Sequence, residues 1–368
     1  MAKQKNITDT YVKRTLTLLR AAEGEAIAVS KSLEKINNSI LKDVEKTFKG
    51  KVTAKKIATL EKTVESKMVG FYTEEFPKEL VDISNEVVTK EIVWNQNLIE
   101  GVAKESVLVP RSAVVIKSAQ KKKYQGKTFS RWVAKAFPDN VKAINSALKT
   151  GYLEGKSVQE MTRTITGING KSTRDVRTIT RSFFMHNAVE AKESVFNLNP
   201  DLVESKIWVS TLDSRTTPLI CGVRDQLEYT LKNEPIGHSF SWDGGPGRIH
   251  WNCRSSSVPK IKGVKFTAPR TSIDAGENYK RGDNVTRTGR VRKAGKGERE
   301  KGLFDINIRT TRTKYEGWLK EQSRKNIDYV SDVLGSKDKA RLFRDGKATL
   351  SDLSSLSPVA NPLDRFSI

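Results

Sequence analysis

The chain has 368 residues, 30% of them charged, and its 66 Lys and Arg against 43 Asp and Glu give a formal net charge of +23. No run approaches the roughly 20 apolar residues that span a bilayer, the first residues lack the apolar core of a secretory signal, and two cysteines are too few for a disulfide-stapled scaffold. These features argue against a membrane protein or a membrane partner and predict two or three domains working in a reducing compartment. An excess of positive charge spread along the whole chain points to a polyanion, with nucleic acid the commonest, held through phosphates without base reading. A charged surface that only keeps the protein soluble is the plainer account.

Residues 8–108 read as helical. Leu16, Leu19, Ala22 and Ala26, and then Leu33, Ile36, Ile40 and Val44, fall at three- and four-residue steps. Gly50 and Gly70 read as breaks, and Phe71, Tyr72 and Phe76 as an aromatic cluster packing on a neighbouring helix. Leu80, Ile83, Val87, Ile92 and Leu98 continue the pattern, and Pro110 closes it. A long-helix region over 1–110 is expected.

A basic patch follows: Lys117, Lys121, Lys122, Lys123, Lys127 and Arg131, interleaved with Tyr124 and Phe129. The cations suit phosphate, and the rings offer base-stacking or packing surfaces. Thr128 or Ser130 caps a helix through Phe137, and Pro138 starts the next. Gly151 and Gly155 flank a connection, and Ser157 with Glu160 makes a capping box. Gly167 to Gly170 reads as a turn, and Ser172 as the start of a helix to about residue 197. His186, beside Phe183 and Phe184, is expected in the core.

Ile207, Trp208 and Val209 form a strand that Thr211 extends; Asp213 and Ser214 then turn the chain. Asp213 is placed to pair with Arg215. Gly244, Gly245, Pro246 and Gly247 make a loop, and His250 and Cys253 follow at a metal-site spacing. Cys221, His250 and Cys253 admit three readings: buried thiols beside a satisfied histidine, a Cys221–Cys253 disulfide, or a zinc site completed by His238 or Asp213. His238, near Phe240 and Trp242, is first a loop-packing residue.

Residues 266–302 interleave glycines with Arg287, Arg290, Arg292, Lys293 and other cations. They read as a basic arm, lying on DNA or on a protein neighbour. In 303–368, Tyr315, Trp318 and Leu319, then Val333 and Leu334, then Leu342 and Phe343, predict two short helices ended by Gly335 and Gly346, before a tail.

Two runs resemble a known family. Trp208, Ser210, Thr211, Asp213, Arg215, Thr216, Pro218 and Cys221, followed by Pro246, His250, Cys253, Arg254 and Pro259, are similar in type and spacing to the minor head proteins of tailed phages, the phage Mu F-like or head morphogenesis family. The family pattern carries further cysteines after the equivalents of Arg215 and Arg254, where this chain has Thr216 and Ser255, so a metal site inherited from the family would be depleted. Gly126 to Trp132, Gly155 to Ser157, Arg174 and Arg181 extend the resemblance, although Ser182 and Phe183 stand where the family has a Thr-Glu pair. Trp318, Leu319 and Leu342 to Gly346 carry it to about residue 356. It implies a structural motif of Asp213, Arg215, Pro218, Cys221, His250, Cys253 and Arg254.

The expected class is α+β, mainly helical, with a small β-containing motif around 205–262. The expected units are the helical region 1–110, a head-morphogenesis domain 111–265, the arm 266–302 and a helical end 303–368. The resemblance implies a structural virion protein inside the capsid near the portal. Its partners would be portal protein, major capsid protein and packaged double-stranded DNA, and its part would lie in head assembly and genome packaging or ejection. Lys121, Lys122, Lys123, Lys127, Arg131, Arg287, Arg290, Arg292 and Lys293 are the DNA-contact candidates. The chain offers no nucleophile elbow, phosphate-cradling loop or zincin helix. No cofactor beyond zinc and no catalytic residue is expected. The competing reading is a metal- or thiol-dependent nucleic-acid-processing enzyme built on Cys221 with His250 or His238.

Overall fold

Two helices of similar length set the frame of the computed structural model, which describes residues 7–210, 220–264, 284–285, 291–292, 315–334 and 336–355. Helix α1 (Ile7–Phe48) has 42 residues and α6 (Val158–Leu198) has 41, about 60 Å each at 1.5 Å per residue. They run antiparallel. Tyr11 lies against Phe196, Arg181 pairs with Glu23, Arg177 with Ser30 and Glu34, and Asn169 reaches the Asn37 carbonyl. The apolar stripe read in α1 is the buried one: Leu33, Ile40 and Val44 are fully enclosed.

Helix α6 begins at the predicted capping box, Ser157 and Glu160 each bonding the other's backbone. It does not turn at Gly167–Gly170, and Ser172 lies within it. Each glycine costs about 1 kcal/mol in a helix. Burial of Ile165, Asn169 and Ser172 on one side of the same turns outweighs that cost. From Ser182 to Glu193 every residue is buried, so this half of α6 is covered on all sides.

Gly70 is likewise not a break. Helix α2 (Ala54–Gly70) passes through a π turn (Phe71–Glu75) into α3 (Phe76–Ala103). The wide turn absorbs Pro77, whose missing N–H would otherwise interrupt the ladder. Gly50 does sit in the gap after α1. Phe71, Tyr72 and Phe76 form the predicted aromatic cluster and reach Phe137. Tyr72 Oη also accepts a hydrogen bond from Asn140. Helix α3 lies beside both long helices, through Tyr11 to Asn95 at 2.8 Å, Arg14 to Glu91, and Ser84 to Asn187 at 2.6 Å.

Helices α4 (Ser112–Lys121) and α5 (Phe129–Leu153) complete the helical layer. Thr128 is the α5 N-cap. Pro138 lies inside α5 and starts no new helix. It and Ala134 are exposed, so the carbonyl robbed of its N–H partner faces solvent.

After α6, β1 (Val203–Val209) is one of the two inner strands of a four-stranded antiparallel sheet ordered β3-β2-β1-β4. It pairs with β4 (Ser256–Ile261) in the register Ile207 to Val258 and Trp208 to Ser257, and with β2 (Glu228–Tyr229), which pairs with β3 (Pro235–Ile236). A two-stranded ribbon, β5 (Asn284–Val285) with β6 (Val291–Arg292), follows. Among the described residues the C-terminal part has four short helices where two were predicted: α7 (Tyr315–Lys325), α8 (Ile327–Leu334), α9 (Lys337–Arg344) and α10 (Leu350–Ser355). Gly346 turns the chain at φ 73°, and Gly335 lies outside the described residues. Leu319, Val330, Leu334 and Phe343 share a core with Ile7, Tyr11 and Leu16 at the start of α1.

About 70% of the described residues are helical, with the sheet the small β part, so the class is mainly helical α+β as expected. Among the described residues no helix is long and apolar enough to cross a membrane.

Candidate metal centre

Cys221 opens a short 3₁₀ turn (Gly222–Arg224), and His250 and Cys253 lie in the loop that leads to β4. Trp208 of β1 stands behind them, fully buried against Tyr229 and Trp242. These rings and Ile220, Ile249, Cys221 and Cys253 make a small core of their own. The three ligand-type side chains therefore rest on one wall, although Cys221 is 29 positions from His250.

The Cys221 Sγ is 3.0 Å from His250 Nε2 and 3.7 Å from Cys253 Sγ, and one ligand atom from each residue lies within 4.8 Å of the others. Both cysteines are free; 3.7 Å is far beyond the ~2.05 Å of a disulfide bond, so the disulfide reading is corrected. The His250 Nδ1 faces the Trp251 carbonyl at 2.9 Å. An Nδ1–H donated there leaves the Nε2 lone pair directed toward the sulfurs, the arrangement usual in histidine ligands. The Gly247 N–H donates to Cys253 Sγ at 3.3 Å, a bond that favours thiolate.

The charges agree with that geometry. Burial works against a charged Cys253, yet the Cys221 hydrogen bond and the adjacent His250 outweigh it and hold the thiol well below its ordinary range. Burial also opposes a charged His250, but the Cys253 sulfur and the Trp251 carbonyl lift it to about 9. Cys221, hydrogen-bonded to Cys253 and buried, is pushed up. Two soft sulfurs with one imidazole are a donor set for a zinc-like ion, whose binding would displace the protons on Cys221 and on His250 Nε2.

His238 is not part of it. Its Nδ1 accepts from the Phe240 N–H at 3.2 Å and its Nε2 faces the Glu228 carbonyl at 2.9 Å, so both nitrogens are used. The ring packs edge-on against Tyr229, the loop-packing role. Arg254 is half-buried beside the group. Asp213, Arg215 and Pro218 lie outside the described residues.

The loop is tied to the helical layer by contacts that the sequence reading did not anticipate. Arg248 is buried between Glu190 and Glu193 of α6, 2.7 Å from the first. Glu190 also accepts from Ser118 and Lys122, at 2.8 and 2.7 Å, which joins α4 to the same cluster. The available signal was two carboxylates three positions apart, but their partner lies 55 or more positions away. Gly247, at φ 77°, lets the loop backbone reach α6; a Cβ there would stand 2.7 Å from Val189 Cγ2. Tyr124 donates to the His250 carbonyl, Gln125 to that of Ile249 at 2.7 Å, and Arg181 reaches Asn252 at 2.9 Å.

Among the phosphate candidates, Lys121, Lys123 and Arg131 are exposed. Lys122 is committed to Glu190, and Lys127 lies over the Trp132 ring at 4.9 Å. Tyr124 and Phe129 are buried and are packing rings, not base-stacking ones. Arg287, Arg290 and Lys293 lie outside the described residues; Arg292 is in β6, its side chain outside them. His186 is in the core as expected, its Nε2 3.0 Å from the Ala119 carbonyl. Burial, followed by the Arg248 charge, lowers it to about 3. Compared with protein-family models, curated proteins and solved structures, the chain matches none.

Proposed function

We propose that the chain is a structural component of a tailed-phage head, a minor head protein positioned near the portal and contacting packaged DNA through phosphates. The observation that carries this reading is the brace itself. Cys221, His250 and Cys253, three of the residues on which the family resemblance rests, meet in one group that is clamped to α6. A group so placed holds elements together. Both cysteines are 1% exposed, which supports a role in position over one in turnover and weighs against the thiol-enzyme reading. Lys121, Lys123 and Arg131 are exposed, and the net charge of +23 suits a polyanion.

The direct test is mass spectrometry of purified particles with localisation by cryo-electron microscopy. Finding the protein in mature heads at the portal vertex is the expected result; a protein abundant in infected cells and missing from particles would overturn the reading. DNA affinity should fall with salt, log K losing about 0.9 per phosphate contact per log unit.

A second reading concerns the brace. Cys221, His250 and Cys253 fit three of the four positions around a structural zinc ion, and among the described residues no fourth Cys, His, Asp or Glu joins the group. The ion would supply cross-linking of the 220 and 250 stretches and no chemical step. Elemental analysis of the purified protein tests it: one zinc per chain, lost in Cys253→Ser, is expected, and metal-free folded protein would remove it.

A further inference from the structure

Helices α5 and α6 leave a cavity of about 310 Å³ between them, at the small end of ligand sites. Trp132, Lys135 and Asp139 line it from α5, Asp175 and Ile179 from α6, and Trp251 from the loop that carries His250 and Cys253. The two indoles meet edge to face, centroids 5.2 Å apart, and form an apolar corner. Two carboxylates against one lysine give the lining a net negative charge, in a chain whose balance is +23. Asp175 has no ion pair or hydrogen bond among the described residues. Burial raises its pKa although Lys171 and Arg174 oppose the shift.

We infer that this cavity is a binding site for a small organic cation, an alkylammonium or guanidinium with an apolar body. The body would lie in the indole corner and the charge would face Asp139 and Asp175. Trp132 already accepts a cation, since Lys127 Nζ sits 4.9 Å from its ring, within the range of cation–π attraction. The Lys135–Asp139 pair is half-exposed on both sides, so an incoming cation can exchange with Lys135. A nucleotide is the poorer occupant, because the same carboxylates repel its phosphate. None of this depends on the role in a phage head.

The test is calorimetric titration of the full-length protein with butylammonium chloride, at constant ionic strength, with n-butanol as the neutral control and thymidine monophosphate as the anionic one. Saturable binding of butylammonium alone is expected, weakened at least about tenfold in Asp175→Asn, the loss of one charge-assisted contact, and strengthened in Lys135→Ala. Asp175 is exposed and structurally uncommitted, so its variant folds; an unchanged circular dichroism spectrum checks this. Absence of butylammonium binding, equal binding of butanol, preference for the nucleotide, or indifference to Asp175→Asn would each overturn the inference.

Discussion

Replacing Arg248 by Met keeps much of its volume and removes its charge. In the folded protein Arg248 holds Glu190 and Glu193, all three with side chains under a tenth exposed. Glu190 would keep Lys122 and Ser118. Glu193 would lose its ion pair and stay buried, with Lys192 and Lys206 acting on it only through space. Breaking a buried pair from one side costs about 3–5 kcal/mol, and the two lysines place this case at the lower end. About 3 kcal/mol is a factor of roughly 100 in the folding equilibrium. Urea denaturation followed by near-ultraviolet circular dichroism measures it at pH 7. The carboxylate left behind has its folded pKa raised. Its penalty is therefore present above that value and disappears below the unfolded value near 4. Two results are expected: a deficit at pH 7 that shrinks toward pH 4, and partial recovery in Arg248→Met with Glu193→Gln. A loss under about 1 kcal/mol, or a deficit that ignores both pH and the second substitution, would refute the account.

Gly247→Ala should cost about 2 kcal/mol, because φ is positive and the new methyl meets Val189; Val189→Ala in the same chain should recover part of it in thermal melts. Glu25 is raised to about 7 by burial and by Glu86 and Glu79. The stability it contributes is complete below pH 4.5 and lost as pH rises through 7, so Glu25→Gln should raise the urea midpoint at pH 8 and leave it unchanged near pH 4. Changing Lys121, Lys123 and Arg131 to Ala should lower the salt slope of DNA binding by about 0.9 for each contact removed, read by filter binding over a salt series. Chelator treatment of zinc-loaded protein should lower its melting temperature, and the same treatment of Cys253→Ser should do nothing.

Much of the helical frame was legible because it is written locally. The stripe in α1, the capping box at Ser157 and the cap at Thr128 each need only neighbours within four positions. The errors share a cause. Gly70, Pro138 and Gly167–Gly170 are breakers by intrinsic preference, and each lies in a helix whose packing or solvent access absorbs the local cost. The site was half legible. His250 and Cys253 are adjacent enough to suggest a shared ligand role, and Cys221 was grouped with them in three readings among which its spacing could not decide. The Arg248–Glu190–Glu193 clamp was not read at all, because nothing in a loop arginine identifies carboxylates on a helix more than 50 positions earlier. Tyr124 and Phe129 look like stacking rings in a basic stretch, and only burial separates them from that role.

The opening of α1 waits for the last helices. Ile7, Tyr11 and Leu16 share their core with residues from Leu319 to Leu353, and Arg20 reaches the Leu334 carbonyl 314 positions away. At 5–20 residues per second, a ribosome needs on the order of 15–60 s to deliver that partner. For that time one oily face of the first helix is uncovered on a nascent chain, a target for holding chaperones. A chain cut short before Leu319 would keep its mid-section and leave the entrance of α1 open, a form selected for degradation before it could be assembled into anything.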